Sequence, residues 1–308
     1  SAPKGLLNVL NGNKEVVEHL ITDSRIKAVS FVGSTPVAKK IYENSAKNGK
    51  RCQALGGAKN HALVMFDADI EYTTNHLISA AYGSSGQRCM ALSVVMVNSK
   101  IKEKFLKSLT NKISNLKVSS DNYKSNSFGP LVSSDHLLRV KKYIDMAEEE
   151  GAKIIIDGRN LLKKRSNSGY FLGPTLIDNV NSSMKSYQDE IFGPVLQILE
   201  INNIEEGIKL INENKFGNGC CIFTSNGEYA RNFTSNVKIG MVGINIPLPV
   251  PSSYHSFGGW KNSLFGDLSV YGPDGVRFYT QRKTVTQRWP KSYEKPDDLN
   301  LSMPNNLN

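Results

Sequence analysis

The chain has 308 residues and a formal net charge of +10. That length supports one large domain or two and buries roughly three quarters of the surface an unfolded chain exposes, so a well-formed core is expected. The charge is scattered: lysines alternate with Asn and Ser, the densest basic clusters are Lys163-Lys164-Arg165 and Arg282-Lys283, and no basic stripe with interleaved aromatics occurs, which argues against a nucleic-acid partner.

The opening "SAPKGLL" lacks the charged and apolar regions of a signal peptide. It also lacks an initiator Met, so the natural N-terminus is expected upstream. "IKAVSFVG" (26–33) reads as a β-branched strand running into Gly33-Ser34-Thr35-Pro36, and the following segment has helical spacing over 36–48. A strand, a small-residue turn and a helix with Pro in its first turn make an anion-binding helix N-terminus, although many such junctions bind nothing. "HALVMF" (61–66) is a buried strand, 70–86 a helix leading into a cysteine loop, and "ALSVVMVN" (91–98) a strand. Amphipathic helices follow at 101–118 and 133–151, then strands in "AKIIIDG" and "VLQILEI", a helix at 204–217 and a strand at 219–225. This alternation predicts an α/β fold with a mainly parallel sheet. "VRFYTQRKTVTQRW" (276–289) reads as one long strand, an edge that needs a partner, and 290–308 as a polar, flexible tail. Apolar runs all break well before the roughly 18 residues of a membrane span.

The four cysteines, Cys52, Cys89, Cys220 and Cys221, include no C-x-x-C pair, and the five histidines have no ligand spacing. Neither a disulfide framework nor a metal site is expected, and a reducing compartment fits. A lone Cys is ordinarily a small buried hydrophobe, as Cys220 and Cys221 are expected to be in their apolar strand. Cys89 differs, because "GSSGQRCMAL" (83–92) sets it in a small-residue loop behind Arg88. A cationic neighbour and an accessible loop lower a thiol pKa, and thiolate is the attacking form.

Eight stretches in order, "FVGST" (31–35), "GGAKN" (56–60), "GQRC" (86–89), "FGP" (128–130), "GYFLGPTL" (169–176), "DEIFGPV" (189–195), "GINIP" (243–247) and "FGGWKNS" (257–263), resemble the aldehyde dehydrogenase superfamily. "GAKNH", "GQRCMALS" and "FYTQRKTVTQRW" look like its CoA-acylating, methylmalonate- or malonate-semialdehyde branch. The resemblance implies a three-layer catalytic domain, a Rossmann-like cofactor domain that is only partly present, and a C-terminal oligomerisation strand. Expected boundaries are 1–57 for the partial cofactor domain, 58–270 for the catalytic domain, 271–289 for the arm and 290–308 for the tail.

By that resemblance Cys89 attacks an aldehyde carbon, its backbone N–H steadies the alkoxide, and NAD accepts the hydride, leaving a thioester. Ordinary relatives then use a glutamate as general base for water. Here Leu55, 34 residues before Cys89, stands at that place, and residues 51–60 contain no acid. General-base help is typically worth about 10² to 10⁴-fold, so hydrolysis is expected to be slow. A free thiol of pKa about 8.5 needs less help, which points to coenzyme A as acceptor.

Arg88 beside the nucleophile suggests a substrate with its own carboxylate, since charged hydrogen bonds contribute about 1.5 to 3 kcal/mol. The alternative is an arginine turned away into a structural ion pair. For the cofactor, Gly33 and Ser34 are expected at the pyrophosphate. Glu190 and Phe192, by resemblance, hold the nicotinamide ribose and pack by its ring. Asn245 and Phe257 look like substrate-channel positions, though either equally suits packing. A family chain is expected to have about 500 residues, so this one is expected to hold the thiol, half a cofactor cradle and little NAD turnover alone. Homo-oligomers and a mitochondrial location, with cytoplasm as the alternative, follow from the same resemblance. Two other readings remain: a hydrolytic enzyme with another base, and a non-catalytic protein on this scaffold.

Overall fold

The computed structural model describes residues 3–118, 127–159, 169–287 and 289. The expected 290–308 tail and the Lys163-Lys164-Arg165 cluster lie outside the described residues.

The first part comprises α1 (Lys14–Thr22), β1 (Ala28–Val32), α2 (Thr35–Lys47) and β2 (Arg51–Leu55). Next come β3 (Asn60–Val64), α3 (Ile70–Tyr82), β4 (Leu92–Asn98), α4 (Lys102–Ser114), and the two-residue strands β5 (Lys117–Val118) and β6 (Ser127–Phe128). They are followed by α5 (Ser134–Glu149), β7 (Lys153–Ile156), β8 (Thr175–Asp178), α6 (Lys185–Gln188), β9 (Val195–Ile201) and α7 (Ile204–Glu213). The last group is β10 (Phe216–Gly217), β11 (Gly219–Phe223), α8 (Gly227–Asn236), β12 (Met241–Ile244), β13 (Trp260–Lys261), β14 (Leu264–Phe265) and α9 (Pro273–Tyr279).

The main sheet runs β12-β11-β3-β4-β9-β8-β7. Every pairing in it is parallel except β7 with β8. Its central strands are buried on both faces, and Val94, Val95, Met96 and Val97 of β4 form the continuous apolar run this requires. One face packs on α3 and α4 through Leu77, Phe105, Leu109 and Ile113. The other packs on α5, α7 and α8 through Val140, Ile144, Ile208, Ile211 and Phe233. These are helix-period positions, so each helix buries one stripe and leaves the rest in solvent. Polar caps start the helices: Asn13, Asp69, Ser133, Asn203 and Asn226 each accept a first-turn N–H. The result is the expected α/β/α arrangement.

A second sheet, β1-β2-β14, pairs β1 parallel with β2 and takes its third strand, antiparallel, from the late segment Leu264–Phe265. Arg51 Nη1 also donates to the Thr280 carbonyl at 2.9 Å.

Two expectations are corrected. The helix read over 70–86 stops at Tyr82, because Ser84, Ser85 and Gly86 take left-handed backbone, φ 53°, 57° and 67°. The single strand read over 276–289 is not formed among the described residues: Pro273–Tyr279 is helical, and 280–287 has no ladder. A strand needs a hydrogen-bonding neighbour, and Pro273 at the first turn favours helix instead.

Leu63 in β3 is fully buried, its Cδ1 only 2.7 Å from where a Cβ on Gly207 of α7 would sit. Leu63→Ala is expected to cost about 2 to 5 kcal/mol, read as a lower urea midpoint at unchanged slope.

Candidate active site

The parallel strands present their N-terminal ends along one edge of the main sheet. Cys89 precedes β4, Glu190 and Phe192 precede β9, and Asn60 and Gly219 open β3 and β11. Cys89, Arg88, Glu190 and Phe192 all line one recess there.

The turn that delivers Cys89 is fixed from below. Its carbonyl accepts from Asn60 Nδ2 and Asn218 Nδ2, each at 2.9 Å. Asn60 also donates to Ala91 O and accepts from Gly219 N–H, tying β3, β4 and β11 together at this edge. Ser85 Oγ donates to Gly129 O at 2.6 Å. A Cβ at Gly86 would sit 2.1 Å from the Gly193 carbonyl oxygen, so only glycine allows the Cys89 turn and the loop before β9 to touch.

Cys89 is exposed on one side and crowded on the other. Burial pushes its thiol up, the Cys89 and Met90 N–H groups pull it down, and the Glu190 charge pushes it up again. The expectation that Arg88 lowers this thiol is therefore corrected. Side chains of adjacent residues diverge, and the guanidinium folds back over Gly83 to donate from Nε to Ser84 Oγ at 3.0 Å. The ion-pair alternative is not what the chain forms either, since Arg88 meets no carboxylate among the described residues.

Glu190 Oε1 accepts the Ala58 N–H at 2.9 Å, and burial raises its carboxyl despite that bond and the Lys59 and Arg139 charges. A Cβ at Gly57 would lie 2.5 Å from Glu190 Oε2 and 3.2 Å from Thr35 Oγ1, and the Gly57 N–H donates to Thr35 Oγ1 at 2.8 Å. Gly57 thus lets the first turn of α2 and the Glu190 carboxylate both close on its backbone. Ser34 is the α2 N-cap, with its hydroxyl uncommitted to capping. Gly33 departs from its expected role: its N–H donates to Leu55 O at 3.0 Å and extends the β1–β2 ladder.

Phe192 stands at the recess in left-handed backbone, φ 59°. Asn245 follows β12 at the opposite edge of the sheet, and its amide is spent on Thr224, accepting the backbone N–H and donating to the carbonyl, both at 3.0 Å, which suits the packing alternative. Phe257 packs its ring 5.3 Å from Tyr271 and does not line the recess.

Residue-by-residue reading missed Lys59, which is buried. Its ammonium donates to Ser186 O at 2.7 Å and Asp189 O at 2.9 Å, joining the β2–β3 connection to the Glu190 loop. Its only sequence signal is its place in "GGAKN".

Residues 1–285 match the model of the Aldehyde dehydrogenase family. A malonate-semialdehyde dehydrogenase of Pseudomonas aeruginosa is 51% identical over 290 residues, covering 94% of this chain and 58% of its own length. The crystal structure of methylmalonate-semialdehyde dehydrogenase (DddC) from Oceanimonas doudoroffii superposes with TM-score 0.92 at 54% identity, over 94% of this chain and 60% of that one. A Sinorhizobium meliloti protein provisionally named as a methylmalonate-semialdehyde dehydrogenase, solved with NAD, gives TM-score 0.92 at 44% identity, over 95% of this chain and 60% of that one. The chain thus spans about three fifths of the length of these relatives.

Burial presses the Lys59 ammonium down to about 7, against the opposing pull of Glu190 and Asp189. Its unfolded value is higher, so between about pH 7 and 10.5 the unfolded chain binds more protons and stability rises with pH. Urea unfolding at pH 7 and pH 9.5 is expected to show wild type gaining stability relative to Lys59→Met as pH rises.

Proposed function

The chain belongs to the aldehyde dehydrogenase family, and from that premise we propose that it serves the NAD-dependent, CoA-acylating oxidation of a short semialdehyde bearing its own carboxylate. The observation that carries this reading is the shared recess: Cys89 beside an arginine that meets no carboxylate among the described residues. The name of the Pseudomonas aeruginosa relative agrees with such a substrate.

The residues fit a dinucleotide. The first turn of α2, with Ser34 at its start, offers uncommitted N–H groups and the positive helix end to a pyrophosphate. On the other side of Gly57, Glu190 would accept from a ribose hydroxyl, and Phe192 at the recess would pack beside a nicotinamide ring. NAD, when bound, supplies the hydride acceptor.

Cys89 attacks the aldehyde carbon as thiolate, and its own N–H donates to the resulting alkoxide. Arg88 swings from Ser84 to the substrate carboxylate. Once the thioester has formed, a carboxylate β to its carbonyl leaves as CO₂, and the electron pair it leaves behind takes a proton. The thiolate of CoA then attacks the thioester carbon, and Cys89 departs as thiolate. Leu55, buried and without a proton-accepting atom, fits a site that does not activate water.

The hydrolytic reading is favoured by one observation. Glu190 lines the same recess as Cys89, and its burial-raised carboxyl suits a base. Ala58 already holds one of its oxygens, which favours the ribose role instead. For the assembly, the exposed 280–287 segment suits pairing with a second subunit. The relatives named above are bacterial, which removes the support for a mitochondrial location and leaves the cytoplasmic alternative.

Acetylating Cys89 with p-nitrophenyl acetate and following intact mass separates the two acceptors. The acetyl group is expected to persist in buffer and to leave with CoA as acetyl-CoA. Leu55→Glu is expected to shorten its buffer lifetime, up to the roughly 10²-fold or more that a general base supplies. Release as acetate, indifferent to CoA, overturns the reading.

Arg88 is tested with anionic iodoacetate against neutral iodoacetamide at Cys89. Arg88→Gln is expected to cut the iodoacetate preference about tenfold, the worth of one charge-assisted hydrogen bond. An unchanged ratio removes the carboxylate from the proposal.

A further inference from the structure

We propose that one face of α5, carrying His136, Arg139, Val140 and Tyr143, is a positioning platform that fixes the Asp189–Gly193 segment, and through it both the Glu190 carboxylate and the Cys89 turn. This rests on the recess being the place where Cys89 reacts. It does not depend on which acyl acceptor follows.

The four residues stand at i, i+3, i+4 and i+7, the spacing that puts side chains on one helix face. Each meets a different residue of the segment. His136 Nε2 bonds the Phe192 carbonyl at 2.7 Å, and because a carbonyl only accepts, that nitrogen carries the proton. Arg139 Nη2 donates to the Glu190 carbonyl at 2.8 Å, and its guanidinium lies 5.4 Å from the Tyr143 ring centre. Val140 fills the space above Gly193, where a Cβ would come within 2.9 Å of its methyl groups. Tyr143 donates its hydroxyl to Asp189 Oδ2 at 3.0 Å.

Residues 189–194 contain no helix or strand, so their polar groups depend on outside partners. The opposite side is held by Ala58 N–H on the Glu190 carboxylate and by Lys59 on the Asp189 carbonyl. Glu190 is therefore gripped between α5 and the β2–β3 connection. Gly193 passes the constraint on, because its carbonyl abuts Gly86, three residues before the nucleophile. The charged and titratable groups around Glu190 are Lys59, Arg139, its neighbour Asp189 and, across the recess, Arg88 and the Cys89 thiol.

Glu190 disfavours the Cys89 thiolate, so its position is readable from the thiol without nucleotide or substrate. The experiment follows carboxamidomethylation of Cys89 by iodoacetamide against pH in the full chain, by peptide mass spectrometry, with Cys52 as internal control. His136→Ala and Arg139→Ala release the loop and let Glu190 turn to solvent. Their alkylation midpoint is expected to fall by about 0.5 pH unit, as when a like charge recedes. Loss of the arginine charge by itself moves the midpoint upward, so a fall in Arg139→Ala reports displacement rather than charge. His136→Gln, which keeps an N–H donor, is expected to restore the wild-type midpoint. Tyr143→Phe, which removes only a hydroxyl, is expected to lower it slightly. In a Glu190→Gln background, His136→Ala is expected to add nothing.

Unchanged midpoints in both alanine variants, or an equal shift with and without Glu190, overturn the platform. The acetyl-lifetime measurement reports on the acyl acceptor separately, so either idea fails without the other.

Discussion

The contact on which the site depends is the approach of two backbones at Gly86 and Gly193. Left-handed backbone costs an ordinary residue about 1 to 2 kcal/mol, and the chain accepts it at both Ser84 and Ser85 on the way to Gly86. That conformation persists only where its surroundings over-determine it. Here they do: Ser85 is bonded to Gly129, Gly86 is wedged on Gly193, and the Cys89 carbonyl is held by two asparagine amides. The turn ends α3, reverses the chain and starts β4 with the sulfur left at the sheet edge. Strain at this point replaces flexibility and fixes the sulfur in place, as the nucleophilic role proposed for Cys89 would require.

Electrostatically the recess is restrained rather than primed. Crowding raises the Cys89 thiol, and an ionised Glu190 raises it further. Burial also raises Glu190, which weakens that repulsion by favouring the uncharged acid. The groups that favour thiolate are the N–H dipoles of Cys89 and Met90, which are fixed in place and cost no reorganisation. Beneath them Lys59 is lowered by burial to about 7, so it exchanges between ammonium and amine near neutral pH. Its role is to donate to two carbonyls of the Glu190 loop, and the neutral amine retains enough donors for both.

The sequence made the layers legible because parallel strands buried on both faces read as apolar runs, as in β4 and β11, and helices read by their buried stripe. β2 was not legible. "RCQAL" mixes Arg51 and Gln53 with apolar residues, and its partner β14 lies more than two hundred positions later. The exposed place of Cys89 was legible from its small-residue loop. The residues that hold it were not, because Asn60, Asn218, Lys59, His136 and Arg139 bond to backbone carbonyls, and a sequence does not say which carbonyl a side chain will meet. The partners of Arg88 and Asn245 escaped the sequence for a related reason. Adjacency along the chain put Arg88 beside the sulfur, while in space its guanidinium turns away to Ser84; the amide of Asn245 satisfies the backbone of Thr224 at the far edge of the sheet.

The C-terminal segment shows how a correct pattern yields a different element in a single chain. The alternation in 276–289 is real, and it leaves Val285 and Trp289 exposed. Alternation specifies which faces a strand would have, whereas a strand exists only when a neighbour accepts and donates along its length. Within this chain the β1-β2-β14 sheet takes its third strand from Leu264–Phe265. Pro273 and Asp274 then start a helix, whose Phe278 is buried. Beyond that helix, residues 280–287 keep extended-strand chemistry without a ladder. A strand at 280–287 would need an edge that the described residues of this chain do not offer it, which is why the pattern alone could not decide the element.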